Sequence, residues 1–197
     1  MTDLFDPIKI RSVVFPNRVG VSPMVQTSSF DGFAEDWHLV HLGSRAIGGA
    51  GLVITEATAI EKTGRISPND LGIWKDSHIP NLFKIASFIK QQNAVAGIQI
   101  AHAGRKGSYS SPLNQYGLAH LKPLNISKGG WQTIAPSEIP FELNGPTPRK
   151  MSKSNIKNII SSFQKAAIRA DKANFDLLEV HAAHGYLLHQ FYSPISN

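Results

Sequence analysis

The chain has 197 residues, 42% of them hydrophobic and 17% charged, the balance of a globular domain large enough to bury a core. It contains no cysteine, which excludes disulfides, thiolate metal sites and a cysteine nucleophile. Twenty Lys and Arg against fourteen Asp and Glu give a formal charge of +6, but the basic residues lie in short groups such as Arg105-Lys106 and Arg149-Lys150, which fits a solvated face attracting phosphorylated small molecules better than a nucleic-acid surface.

Met1 to Asp6 carries early acids and no long apolar stretch, so neither a secretory signal nor a basic transit peptide is expected. No apolar run reaches the roughly 18 residues that cross a bilayer; the expected compartment is the cytoplasm, with no membrane partner. Ile8-Lys9-Ile10 and Val13-Val14-Phe15, broken by Arg11-Ser12, predict a small hairpin, and Asn17 to Ser22 reads as a first buried strand stopped by Pro23. Helical spacing appears at Trp37, Val40, His41, Ser44 and Ile47 and ends at Gly48-Gly49. Gly51 to Glu56 is a second strand, apolar and β-branched. Pro80-Asn81 opens a helix with Leu82, Ile85, Ala86 and Ile89 on one face, and Val95 to Ile100 follows as a third strand. The longest helix starts near Ser152 or Ser154, carries Ile156, Ile159, Ile160, Phe163, Ala167 and Ala170 at spacings of three and four, and fades at Asn174. Leu177 to Val180 is the fourth strand.

Apolar strands alternating with helices predict a parallel sheet, because each crossover packs a helix back on the sheet. Between Gly107 and Met151 lies a stretch rich in Gly, Pro, Ser and Asn without sustained periodicity, following the third strand on the side where ligands bind. Four parallel strands cannot close a barrel of eight βα units, which usually takes about 250 residues. The alternatives are an open doubly wound sheet or half of a barrel, cut in the loop after the fourth strand.

The chemistry gathers at strand ends. Leu177-Leu178-Glu179-Val180 runs directly into His181-Ala182-Ala183-His184-Gly185-Tyr186, two imidazoles and a phenol able to polarise an oxygen and deliver a proton. Two histidines three apart would also serve as metal ligands on a helix, but an apolar strand precedes them and Gly185 follows, so the backbone is expected to be leaving a strand. Ser22-Pro23-Met24, Glu56-Ala57 and Gln99 fall at or near the ends of the other strands, where small residues let a flat ring lie close to the backbone. His102 and Arg105 divide evenly between a structural and a site role. No G-x-G-x-x-G or Walker loop occurs, so neither a Rossmann site nor a P-loop is indicated.

Phe15-Pro16-Asn17-Arg18 leading to Ser22-Pro23-Met24, Gly51 to Ala57, Gly64-Arg65, Leu71-Gly72-Ile73-Trp74, Gln99 to Arg105 and His181 to Asn197 together resemble the old yellow enzyme family of NAD(P)H:flavin oxidoreductases, nearest its YqjM-like or xenobiotic-reductase branch. The resemblance runs in order through the whole chain. It implies an α/β fold, a (β/α)8 TIM barrel with FMN at its C-terminal face, of which residues 1–197 resemble the N-terminal half, about four βα units after an N-terminal hairpin. It also implies NADPH or NADH as hydride donor, an enone-type small-molecule substrate, reduction of the C=C bond of α,β-unsaturated carbonyl compounds, and a full-length form that is a homo-oligomer.

By position, Pro23, Met24, Ala57 and Gln99 match residues that contact the flavin. His181 and His184 match the pair holding the substrate's carbonyl oxygen, His181 also lying near the flavin, and Tyr186 matches the proton donor. Val25 stands where relatives carry a Cys or Thr that hydrogen-bonds near the flavin O4, and Thr27 replaces a Tyr that lines the substrate pocket. The resemblance further implies that phosphate-binding elements belong to later strands, so that FMN binding and activity of these 197 residues alone are expected to be impaired. Two rivals stand beside it: a metal-dependent barrel hydrolase using His181 and His184 with His102, and a non-catalytic truncated barrel acting through a partner.

Overall fold

The computed structural model describes residues 3–111, 113–114, 117–118 and 121–197; Met1-Thr2, and five positions within the segment read as a long loop, lie outside them. The hairpin forms as expected, β1 (Ile8–Ile10) pairing antiparallel with β2 (Val13–Phe15). Next come β3 (Gly20–Val21), α1 (Asp36–Ile47), β4 (Leu52–Ala59), α2 (Ile79–Gln91) and β5 (Val95–Ala101). Among the described residues, the segment between Gly107 and Met151 holds short pieces, β6 (Leu113–Asn114) against β7 (Gly117–Leu118), a 3-10 turn at Ile126–Lys128, and β8 (Ile134–Ala135) parallel to β9 (Arg149–Lys150). α3 (Lys153–Lys172), β10 (Leu177–Val180) and the short α4 (Leu187–Tyr192) complete the order.

The main sheet runs β10-β5-β4-β3 and every neighbouring pair is parallel. Spatial order therefore repeats chain order with no reversal. A doubly wound sheet needs a reversal to send helices to both faces, and its absence decides for the barrel reading. β3 is shorter than expected, and as an edge strand it is less buried than expected, its Gly20 being exposed.

The core lies between sheet and helices. α2 buries Leu82, Ile85, Ala86 and Ile89, the face its spacing marks, and each such Leu or Ile taken fully from water contributes about 1.5–3 kcal/mol. α3 starts at Ser152, whose hydroxyl accepts the Asn155 N–H while the Asn155 side chain returns to the Ser152 N–H, a reciprocal cap. Its buried residues are Ile159, Ala166 and Ala170, whereas Ile160 is exposed. α1 forms where expected but turns the other way. Trp37, Val40 and Ile47 face outward at 55%, 69% and 65% exposure, and the helix buries His38, Leu42, Gly43 and Ala46. His38 is drawn inward by the Glu56 carboxylate, and Gly43 leaves room for the Phe88 ring.

Candidate active site

The four parallel strands of the main sheet deliver their C-terminal ends to one cavity of about 400 Å3. Ser22, Pro23 and Val25 reach it from the segment after β3, Ala57 from β4, Gln99 from β5, and Glu179, His181, Ala183, His184 and Tyr186 from β10 and the turn that follows. In β10 Glu179 stands in register with Gln99, and their side chains join, Gln99 Nε2 donating to Glu179 Oε1 at 2.6 Å. That bond fixes the amide at the cavity wall, and no hydrogen bond reaches its oxygen among the described residues.

Ala57 owes its place to an irregularity. Ile54 pairs with Gly97 and Ala57 with Gln99, so β4 spends three residues where β5 spends two. This is a β-bulge, and it shifts the inward position by one. Without it Glu56 would stand opposite Gln99 and carry a carboxylate into the cavity. With it a methyl group lines the floor, and Glu56 turns to the helix layer, where its carboxylate lies 3.1 Å from His38 Nε2 and accepts the Gln26 N–H at 2.9 Å. Glu56, 3% exposed, thereby anchors the segment that carries Pro23 and Val25.

His181, His184 and Tyr186 form one cluster. The His181 ring centroid lies 5.1 Å from that of His184 and 5.1 Å from that of Tyr186, both pairs edge to face. Burial, and next the neighbouring His184, lower the His181 pKa, so its imidazole is neutral near neutral pH and keeps one N–H to donate. Burial, and next the Asp70 charge, raise that of the Tyr186 phenol, which holds its proton. Lys106 flanks the group, its Nζ 4.9 Å from the Tyr186 ring centroid and 3.0 Å from the His184 carbonyl. The backbone of residues 181–186 is not helical, in line with a chain leaving a strand.

Two expected residues do not reach the cavity wall. Met24 falls between Pro23 and Val25 on an extended segment whose side chains alternate, and it points instead toward His38, His41 and Leu42. Thr27 sits in the left-handed region at φ 51° with its hydroxyl turned back on the Gln26 carbonyl. His102 is fully buried, Nδ1 accepting the Gly104 N–H at 3.0 Å within its own turn, and Arg105 donates to the carbonyls of Ile139 and Pro140, so Arg105 ties its turn to the long loop.

Several groups at this end escaped the sequence reading. Glu179 had a signal, as the one charged residue in an apolar strand. Glu56 was marked only by its place at a strand end, because its anchoring role depends on the bulge. Asp70, 3% exposed, lines a small chamber of about 10 Å3 behind Tyr186 together with Arg65, whose guanidinium lies between the rings of Trp74 and Trp131 at 5.3 and 5.1 Å. Trp131 belongs to the long loop and donates from Nε1 to the Thr63 carbonyl at 2.8 Å, which pins that loop over the sheet ends. Among the described residues no group of three or more metal-ligating side chains gathers anywhere.

The family model described as NADH:flavin oxidoreductase / NADH oxidase family matches residues 3–197. Among curated proteins, an NADH:flavin oxidoreductase of Gibberella zeae is 46% identical over 199 residues, covering 100% of this chain and 47% of the relative. An NADPH dehydrogenase of Bacillus cytotoxicus is 46% identical over 198 residues, covering 100% and 51%. Among solved structures, an old yellow enzyme from a Pichia species superposes with a TM-score of 0.84 at 28% identity, over 100% of this chain and 50% of that one. Morphinone reductase does so at 0.82 and 29%, over 98% and 51%. The chain spans about half the length of the curated relatives it matches.

Proposed function

The chain belongs to the NADH:flavin oxidoreductase / NADH oxidase family, and from that premise we propose that its cavity is the flavin and substrate site of an FMN-dependent NAD(P)H oxidoreductase that reduces the C=C bond of α,β-unsaturated carbonyl compounds. The observation that carries this reading is the convergence of the His181–His184–Tyr186 cluster and the Gln99 amide on one cavity floored by Ala57 and Pro23.

The residues suit a flavin. A flat heteroaromatic ring needs a floor without bulk, which Pro23 and Ala57 supply, and neutral polar partners at its pyrimidine edge. Gln99 presents a free amide oxygen to an imide N–H, and His181, neutral near pH 7, presents an N–H to a carbonyl. Val25 lines the same wall without a donor. Once bound there, FMN supplies hydride exchange between a nicotinamide and an electron-poor alkene.

The protein's own residues perform three tasks. His181 and His184 direct two N–H groups at the carbonyl oxygen of the substrate. Negative charge builds on that oxygen as the β-carbon accepts hydride, and one such donor typically lowers the barrier by about 3 kcal/mol. Tyr186, kept protonated by burial and by Asp70, gives its proton to the α-carbon. Lys106 stands beside the phenol, where a cation favours the phenolate left behind.

A metal-dependent hydrolase would need a third ligand beside the two histidines, and His102 spends its Nδ1 on the Gly104 N–H elsewhere in the fold. Titration of the 197-residue chain with FMN, followed by flavin fluorescence, decides between the readings. Saturable quenching weakened at least about tenfold by Gln99→Leu supports the flavin site. Equal quenching in both proteins, or none while zinc binds, overturns it.

A further inference from the structure

The turn that carries His184 and Tyr186 has an unusual backbone. His184 at φ 56° and Gly185 at φ 74° occupy the left-handed region in succession, and for histidine that conformation is disfavoured. The turn has one short backbone bond of its own, from the Tyr186 N–H to the Ala183 carbonyl at 3.1 Å. The Leu187 N–H donates to the His102 carbonyl at 3.0 Å and the Gln190 N–H to the Tyr186 carbonyl at 2.8 Å, and side chains add to this backbone hold. His189 Nδ1 accepts the Gly185 N–H at 2.8 Å, Lys106 Nζ donates to the His184 carbonyl at 3.0 Å, and Gln190 Nε2 donates to the Gly185 carbonyl at 2.8 Å.

Lys106 reaches across from the turn after β5, and Gln190 grips that turn at two further points through its side-chain amide. Its Nε2 donates to the Ala103 carbonyl at 3.2 Å, and its Oε1 accepts the Arg105 N–H at 3.3 Å. The side chain is 0% exposed. Both amide protons are used, and exchanging oxygen and nitrogen would set an oxygen against two carbonyls, so the orientation is fixed by its partners. Gly104, at φ 60° between the two gripped residues, is shaped for this contact, because a Cβ there would run into the Gln190 amide.

We infer that Gln190 is a positioning residue for the site: its buried amide bolts the His184–Tyr186 turn to the Ala103–Arg105 turn, so that His181, His184 and Tyr186 face the cavity as one unit while Lys106 stays beside them. What the cluster does rests on the function proposed above; that Gln190 holds it does not.

The test uses the 197-residue chain without flavin. Gln190→Leu keeps bulk and removes all three side-chain bonds. Gln190→Glu keeps bulk and the acceptor, and regains a donor only when protonated. Amide hydrogen exchange is followed residue by residue, with the intrinsic pH dependence divided out, alongside the imidazole titration of His181. In Gln190→Leu the amides of Gly185, Tyr186 and Arg105 exchange at least about tenfold faster, while those of α2 and β5 stay within about twofold. The depressed His181 titration moves up toward 6.5 as the ring gains water.

Gln190→Glu matches the leucine variant at Gly185 and Tyr186 at pH 8, keeps Arg105 slower through its retained acceptor, and recovers slow exchange at Gly185 and Tyr186 as the pH falls. Unchanged exchange at Gly185 and Arg105, an equal acceleration throughout the chain, or a Gln190→Glu protein indistinguishable from wild type at pH 8 overturns the inference. If Gln190→Leu does not fold, the glutamate variant and its recovery at low pH decide alone. Failure of a form extended through the four missing βα units to bind FMN would count against the proposed function and leave these readouts intact.

Discussion

Asp70→Asn isolates the electrostatic cost of the buried carboxylate behind Tyr186. Burial pushes the Asp70 pKa from 3.8 up to about 6, against the pull of the Ser67 hydroxyl and the Ile66 and Ser67 N–H groups. A carboxyl raised in the fold favours the protonated form there, so the native state binds more protons than the unfolded one between the two values. Its contribution to stability is fully present below pH 3.8 and is lost as the pH rises through about 6. The interval is about two pH units, and at about 1.4 kcal/mol for each, the loss amounts to about 3 kcal/mol. Asparagine keeps an acceptor and cannot ionise. Urea unfolding of both proteins from pH 3.5 to 8 yields a stability difference in which other titrations cancel. That difference should move by about 3 kcal/mol in favour of Asp70→Asn between acid and pH 7, with most of the change between pH 4 and 6. A difference that stays flat across this range would refute the reasoning.

Three further outcomes are expected. In a form extended through the missing βα units, Tyr186→Phe removes the proposed proton donor and should slow the proposed alkene reduction by a factor of about 10² to 10⁴, while hydride delivery from NAD(P)H to bound FMN keeps its rate in stopped flow; equal slowing of both halves would remove Tyr186 from the proton step. In the same extended form, Val25→Cys places a donor at the cavity wall, and one hydrogen bond favouring reduced flavin should raise the FMN midpoint potential by about 20 mV; no upward shift by spectroelectrochemistry would count against it. β3 and β10 each leave one sheet edge unpaired among the described residues, beside half-exposed Leu178 and Val180, so the 197-residue chain should self-associate or precipitate. A monomer in sedimentation equilibrium with a single sharp melt would rule this out.

What could be read ahead of the structure depended on whether a pattern was local. α2 was legible because Leu82, Ile85, Ala86 and Ile89 are all apolar and all turn to the sheet. α1 was legible as a helix but not in its orientation. Its apolar stripe through Trp37, Val40 and Ile47 faces outward, and the inward face is made of His38, Gly43 and Ala46, whose burial is dictated by Glu56 and Phe88 from distant parts of the chain. The His181–His184–Tyr186 cluster was visible because six successive residues carry it. Met24 was misplaced by one position of strand alternation, Val25 and Pro23 taking the wall that Met24 turns from. The bulge in β4 was invisible, since nothing in Ile54-Thr55-Glu56-Ala57 announces an extra residue, yet it decides whether a methyl group or a carboxylate floors the cavity.

The distribution of buried polar groups sets one end of this sheet apart. Glu56, Asp70, Gln99, His102, His181 and Gln190 are all at most 7% exposed, and all lie near the C-terminal ends of the strands. The opposite end keeps its charges half in water, as in the cluster of Lys90 with Asn174 and Asp176. A polar group taken from water costs stability unless it is hydrogen-bonded, and even a satisfied one adds less than an apolar side chain of equal size. A fold selected for stability alone would place leucine or isoleucine at several of these positions. The buried set is coherent once each member is traced to what it holds: Glu56 holds the segment bearing Pro23 and Val25, Glu179 holds Gln99, and Gln190 holds the turn bearing His184 and Tyr186. Stability is given up at the strand ends in exchange for fixed positions around one cavity, as expected where binding and proton transfer require groups held in place before the ligand arrives.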